Sequence, residues 1–179
     1  SKYRRALSLD SALATVSFVK DEVSYQREYF ISYPANVMAI RYKASRPGKQ
    51  KLVVSYAPNP VSTGKMVADG KNGLLWDARL DNNDMQYAIR IRAINKGGSL
   101  SNEGGKLTVK GADEVVFLIS ADTDYKANNN PDYNDPKTYV GVDPLATTHD
   151  WVSKAEGKGY VEALAAGGDF DIRFSPSQF

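Results

Sequence analysis

The chain has 179 residues and a mass of 19.6 kDa, enough for one substantial core and a single domain or a piece of a larger one. Its 23 Lys and Arg against 21 Asp and Glu leave a net charge of +2 with the basic residues scattered, which gives no electrostatic case for nucleic acid as a partner. Without cysteine there is no disulfide or thiolate metal site, and with His149 alone there is no multi-histidine site. No apolar run approaches a membrane span, so no membrane partner is expected, and no motif in the chain names a cofactor.

The first residues, SKYRRALSLD, lack the apolar core of a signal peptide. In VSYQREYFISY (23–33) the residues Tyr25, Tyr29, Ile31 and Tyr33 share one parity and Ser24, Gln26, Glu28 and Ser32 the other, the pattern of a half-buried strand. NVMAIRYKA (36–44) and KLVVSYA (51–57) are β-rich runs separated by a tight turn at Pro47 and Gly48. GLLWDARLD (73–81) predicts a strand that ends at the turn-prone DNND. MQYAIRIRAI (85–94) alternates cleanly, with Arg90 and Arg92 on one face, solvated or paired with acidic neighbours. NKGGSLSNEGG (95–105) reads as a hairpin turn region, and its glycines do not form a phosphate cradle. KLTVK (106–110) and EVVFLISA (114–121) predict a further strand pair joined by GAD. Strands at this spacing with short polar turns predict a mainly β chain, an antiparallel β-sandwich.

From residue 121 the composition changes. ADTDYKANNNPDYNDPKTYVGVDP (121–144) is acidic, amide-rich and poor in aliphatics, and a loop this long is often functional. PLATTHDWVSKAEGKGYVEALAAGG (144–168) then has helical spacing, with Trp151, Ala155, Tyr160 and Leu164 as core contacts and Thr147, Thr148 or Asp150 as N-caps. Gly157 and Gly159 predict one broken helix or two short ones, stopping at Gly167.

The candidate chemistry is thin. Glycoside hydrolysis uses two carboxyl groups, about 5–5.5 Å apart for retention or about 6.5–9.5 Å for inversion. Asp122, Asp124, Asp132, Asp135 and Asp143 could form such a pair only by number, and they read as solvated turn and capping residues, so no catalytic residue is assigned. Asp122, Asp124 and Asn128 are hard-oxygen groups of the kind calcium takes, but the spacing lacks the glycine and closing glutamate of an EF-hand, so no metal is assigned. Sugar rings present an apolar C–H face and a rim of hydroxyls, which an exposed aromatic beside Asp, Asn or Arg can meet. Trp76 with Asp77 and Arg79, and Tyr125, Tyr133 and Tyr139 with Asn128, have that composition. The competing reading places Trp76 in the core and the tyrosines over a sandwich end.

Several spaced motifs carry a family resemblance. YRRALSLDSALATVSF, then Arg27-Glu28 with Phe30, Ser32-Tyr33-Pro34, and Asn36-Val37 leading to Ile40-Arg41, together resemble the N-terminal β-sandwich domain of glycoside hydrolase family 95, the α-L-fucosidases. GADEVVFLISADTDY, DPKTYVGVDP and KGYVEAL continue the resemblance in order. It implies a super-sandwich-like domain over 1–143, a helical connection over 144–167 toward an (α/α)-barrel catalytic domain, and a divergent tail over 168–179. It also implies a scaffolding role, a periplasmic or secreted location, and no catalytic carboxylate within these residues. The alternatives are a carbohydrate-binding module, with glycans as partner, and an autonomous glycosidase. A sandwich lacking part of a sheet exposes edges, so either a self-contained small sandwich or a homodimer over the open edge is expected.

Overall fold

A computed structural model describes residues 2–129, 132 and 135–167, with the backbone alone described at 136 and 161–167. The strands are β1 (Arg4–Ser8), β2 (Leu13–Lys20), β3 (Val23–Ser32), β4 (Val37–Ala44), β5 (Gln50–Val54), β6 (Ser62–Ala68), β7 (Gly73–Leu80), β8 (Gln86–Lys96), β9 (Ser99–Glu103), β10 (Lys106–Ala112) and β11 (Glu114–Thr123). A 3₁₀ turn at Pro136–Tyr139 and the helix α1 (Pro144–Gly167) follow. Eight strands form one sheet in the order β1-β2-β3-β4-β11-β8-β7-β6, and three form a second, β5-β10-β9. All strand pairings among the described residues are antiparallel, so the expected mainly β sandwich with a C-terminal helical segment is the observed architecture.

The large sheet is buried on both faces at its centre, which is why β11 reads as a nearly continuous apolar run. Val115 and Phe117 face the small sheet and pack with Leu74, Ile91, Ala93, Leu107 and Val109. Val116 and Leu118, on the other face, pack with Phe30, Val37, Ala39, Val152 and Ala155 beneath α1. The expectation that β10 and β11 pair with each other is corrected. β10 pairs with β5 and β9, while β11 pairs with β4 and β8. The chain changes sheet at Gly111, whose φ of 66° a side chain would disfavour, beside a bulge between Lys110 and Ala112. The reverse crossing, from β4 to β5, passes Gly48, and Asp113 Oδ1 accepts from Gly48 N at 2.7 Å to tie the two corners together.

On β3 the expected burial is also corrected. Phe30 and Ser32 are buried under α1, whereas Ile31 and Tyr33 are 67% and 71% exposed. The three-stranded sheet is too narrow to reach them. Leu7 pairs across β1–β2 with Ala14, and Ala14 across β2–β3 with Tyr29, so Leu7 shares the bare face with Ile31 and is 65% exposed. The segment 95–105 is more than a turn. It contains β9, flanked by the paired glycines. β1, β2 and β6 are strands that the periodicity reading above does not assign.

α1 is one broken helix, as its glycines suggest: Gly159 sits at φ 78°, ψ 167° inside it. Its N-terminus is capped by Asp143, whose Oδ1 accepts from Leu145 N at 2.8 Å, and not by Thr147, Thr148 or Asp150. Thr148 is instead fully buried and donates to Pro144 O at 2.7 Å. The Leu164 side chain and the tail 168–179 lie outside the described residues.

Polar groups also hold α1 to the sheet. Tyr160 donates to Glu28 Oε2 at 2.6 Å and its ring packs edge-on to Phe30. Arg41 lies over the Tyr160 ring at 4.9 Å and binds Glu114 through two nearly parallel hydrogen bonds of 2.9 Å. Burial, then the hydrogen bond to Glu28 and its charge, push the Tyr160 hydroxyl above its ordinary value of 10.0. The folded state therefore holds this proton more tightly than the unfolded chain. The contribution is complete below pH ~10 and falls as the pH rises beyond it. Tyr160→Phe is expected to lower stability by about 1.5 kcal/mol at neutral pH and to flatten the alkaline decline, both read from urea unfolding at several pH values.

Candidate functional site

Trp76 is 6% exposed on the same face of β7 as Leu74, where its Nε1 donates to the Tyr87 hydroxyl at 3.0 Å and the Tyr56 ring lies 5.2 Å away. It is a core residue and offers no platform to a ligand. By the alternation of β7, Asp77 and Arg79 point to the opposite face. Asp77 Oδ1 accepts from Gln86 Nε2 at 3.1 Å.

Arg79 belongs elsewhere, to a cleft of about 620 Å³ at the end of the large sheet. The β7–β8 turn supplies Asp84, Met85 and Gln86; the exit of β11 supplies Asp124 and Tyr125; and the stretch before α1 supplies Lys137 and Tyr139 through Asp143. The last two walls form a short ribbon. Tyr125 and Val140 make an antiparallel bridge, with Lys126 N donating to Tyr139 O and Gly141 N to Asp124 O, both at 2.6 Å. Asp124 N donates to Gln86 O at 2.9 Å, which fastens the ribbon to β8.

Within the cleft, Arg79 Nη1 donates to the Asp84 carbonyl at 2.9 Å and lies 3.3 Å from its carboxylate. The Tyr125 and Tyr139 rings stack at 6.0 Å and 15°. Tyr125, Val140 and Val142 are each more than half exposed. Of the proposed sugar-contacting residues the structure thus brings together Arg79, Tyr125 and Tyr139. Trp76 lies apart, Asp77 does not line the cleft but is bonded to Gln86 in its wall, and Tyr133 lies outside the described residues. Asn128 does not line the cleft and donates to Thr138 O at 3.1 Å. The sequence reading missed Asp84, Gln86, Lys137, Val140 and Val142, because no local pattern joins a hairpin turn to a loop some fifty residues later.

The acidic residues have structural work. Asp124 is buried and accepts from Gln86 N at 3.0 Å, Asp143 caps α1, and Asp135 Oδ1 accepts from Lys137 N at 3.0 Å. Asp122 borders a separate depression with Tyr56 and Tyr87. Asp122, Asp124 and Asn128 therefore do not converge, and among the described residues no three His, Cys, Asp or Glu side chains are grouped to hold a metal. Among these residues, too, no helix is long and apolar enough to cross a membrane.

The family model for the N-terminal domain of glycosyl hydrolase family 65 matches residues 1–128. Alpha-L-fucosidase 2 of Arabidopsis thaliana is 29% identical over 153 residues, covering 70% of this chain and 17% of that protein. Probable alpha-fucosidase A of Aspergillus niger is 31% identical over 137 residues, covering 71% of this chain and 16% of that protein. The chain thus spans less than a fifth of the length of these curated relatives. A solved structure, a putative kojibiose phosphorylase from the human microbiome, superposes over 94% of this chain and 24% of its own, with a TM-score of 0.59 and 8% identity, a likeness of fold. With its model matched over more than two thirds of the sequence, this chain belongs to the family of glycosyl hydrolase family 65 N-terminal domains.

Proposed function

We propose that the chain is the non-catalytic supporting domain of a larger glycoside hydrolase of the family 95 α-L-fucosidase type, with an (α/α)-barrel as its catalytic partner. The observation that carries the reading is the match to a small share of two fucosidases, together with the N-terminal-domain family model over residues 1–128. The geometry agrees, since the cleft carboxylates Asp84, Asp124 and Asp143 are each engaged by Arg79, a backbone amide or a helix terminus. In this reading α1 does two things: it covers the sheet and leads toward the barrel. A periplasmic or secreted location goes with it. Removing residues 1–143 from the longer protein should leave a barrel that no longer accumulates in soluble form. A soluble barrel with full fucosidase activity would overturn the supporting role.

The bare face over β1–β3 favours a second element of this reading. Leu7, Ile31 and Tyr33 form an uncovered surface at one side of a sheet whose central strands β4, β11, β8 and β7 are covered. A second copy can lay its own β1–β3 face against it, giving an isologous contact. Sedimentation equilibrium of the isolated chain is expected to show a concentration-dependent dimer that Ile31→Lys abolishes. A monomer at every concentration would remove the homodimer.

A further inference from the structure

We propose that the cleft between the β7–β8 turn and the 124–125/137–143 ribbon is a binding site for a neutral saccharide of one or two pyranose units. Its volume, about 620 Å³, lies within the range of small-molecule sites. Tyr125 is 56% exposed and its ring is backed by Tyr139, which gives a flat apolar wall suited to the C–H face of a sugar ring. Around it stand both donors and acceptors. Lys137 is exposed with no carboxylate partner among the described residues, and Asp143 uses one carboxylate oxygen for its cap, leaving the other for a hydroxyl. Arg79 is compensated by Asp84, and it reaches Gln86 Oε1 at 3.4 Å.

The charge balance decides the ligand class. Arg79 and Lys137 face Asp84, Asp124 and Asp143, so the site has no cationic excess to hold a phosphate, sulfate or carboxylate. Paired donors and acceptors beside an aromatic wall match vicinal hydroxyls instead. The site is independent of the supporting role: a domain can support a barrel with or without binding sugar, and the two fail separately.

The test is a titration of the purified chain with 2′-fucosyllactose, with maltose and, as an anion control, with sodium sulfate, followed by amide chemical shifts. Saturable shifts at Tyr125, Lys126 and Gly141 with at least one of the saccharides are expected. Tyr125→Ala should weaken that binding by about tenfold or more, Tyr125→Phe should retain it, and Tyr33→Ala on the distant bare face should leave it unchanged. Should Tyr125→Ala fail to fold, Arg79→Gln, at an exposed position, is expected to weaken binding in the same direction. No saturable shift with either saccharide, saturation by sulfate alone, or binding indifferent to both Tyr125→Ala and Arg79→Gln would overturn the assignment.

Discussion

Asp69→Ala should destabilise the domain by about 3–5 kcal/mol, because it strands the buried Arg90 guanidinium and takes one of two carboxylate partners from the half-buried Arg92, which keeps Glu156 and donates to Asn72 Oδ1 at 3.1 Å. Asp69 Oδ1 lies 2.6 Å from Arg90 Nη1 and its Oδ2 2.9 Å from Arg92 Nη2. The Arg90 side chain is only 6% exposed, so water cannot replace the lost partner. Arg90 Nη2 also donates to Leu145 O at 3.2 Å in α1, and Arg92 Nε lies 3.8 Å from Glu156 on the same helix. The cluster therefore joins the β6–β7 turn, β8 and α1. Urea unfolding of Asp69→Ala is expected to show a lower midpoint with an unchanged slope. Replacing both partners, as Asp69→Ala with Arg90→Met, should be less destabilising than Asp69→Ala alone, since one buried charge is then removed with its counterion. If Asp69→Ala unfolds at the wild-type midpoint, the cluster is not a structural joint.

The second large effect is expected in the seam between the sheets. Phe117 is 3% exposed, and its ring meets Tyr42 edge-on at 6.1 Å and 76°. It packs with Leu74, Leu107 and Val109, which come from both sheets. Phe117→Ala should cost about 3–5 kcal/mol, because two sheets held by their own backbone ladders cannot close over the void. Phe117→Leu should cost about 1 kcal/mol, since it keeps most of the volume. A domain of this kind is stable by about 5–15 kcal/mol, so Phe117→Ala is expected to bring it near its threshold at 37 °C. A thermal melt of Phe117→Ala that matches Phe117→Leu would show that the seam can collapse.

The parts of this fold legible in the sequence are those where one element decides its own pattern. β8 alternates because its two faces differ, β11 is continuously apolar because both its faces are covered, and the break in α1 follows from Gly159. The errors arise where a partner distant in sequence decides. Alternation on β3 identified a strand but not its inner face, because α1, more than a hundred residues later, buries Phe30 and Ser32. Nothing local in KLTVKGADEVVF assigns β10 and β11 to different sheets; the bulge at Gly111 does so only once β5 and β9 are in place. The arginine pair was legible as a pair, but its acidic partner Asp69 comes from the β6–β7 turn and not from a facing strand, and its burial needed the helix. The candidate site divided in the same way. Trp76 had the right composition for a sugar platform and the wrong side of the strand, while Tyr125 and Tyr139 meet through the bridge to Val140, which no spacing rule announces.

In the proposed supporting role these residues carry no catalytic machinery of their own. This is tested most directly by incubating the purified chain with an aryl α-L-fucoside and measuring release of the phenol. No turnover above the uncatalysed rate is expected, because Asp84 pairs with Arg79 and Asp124 is buried against Gln86 N, which leaves Asp143, with one oxygen on the cap of α1, without a second free carboxylate to complete a pair. Turnover by the wild-type chain that is lost in Asp122→Asn/Asp124→Asn would contradict the account and make this domain an enzyme in its own right.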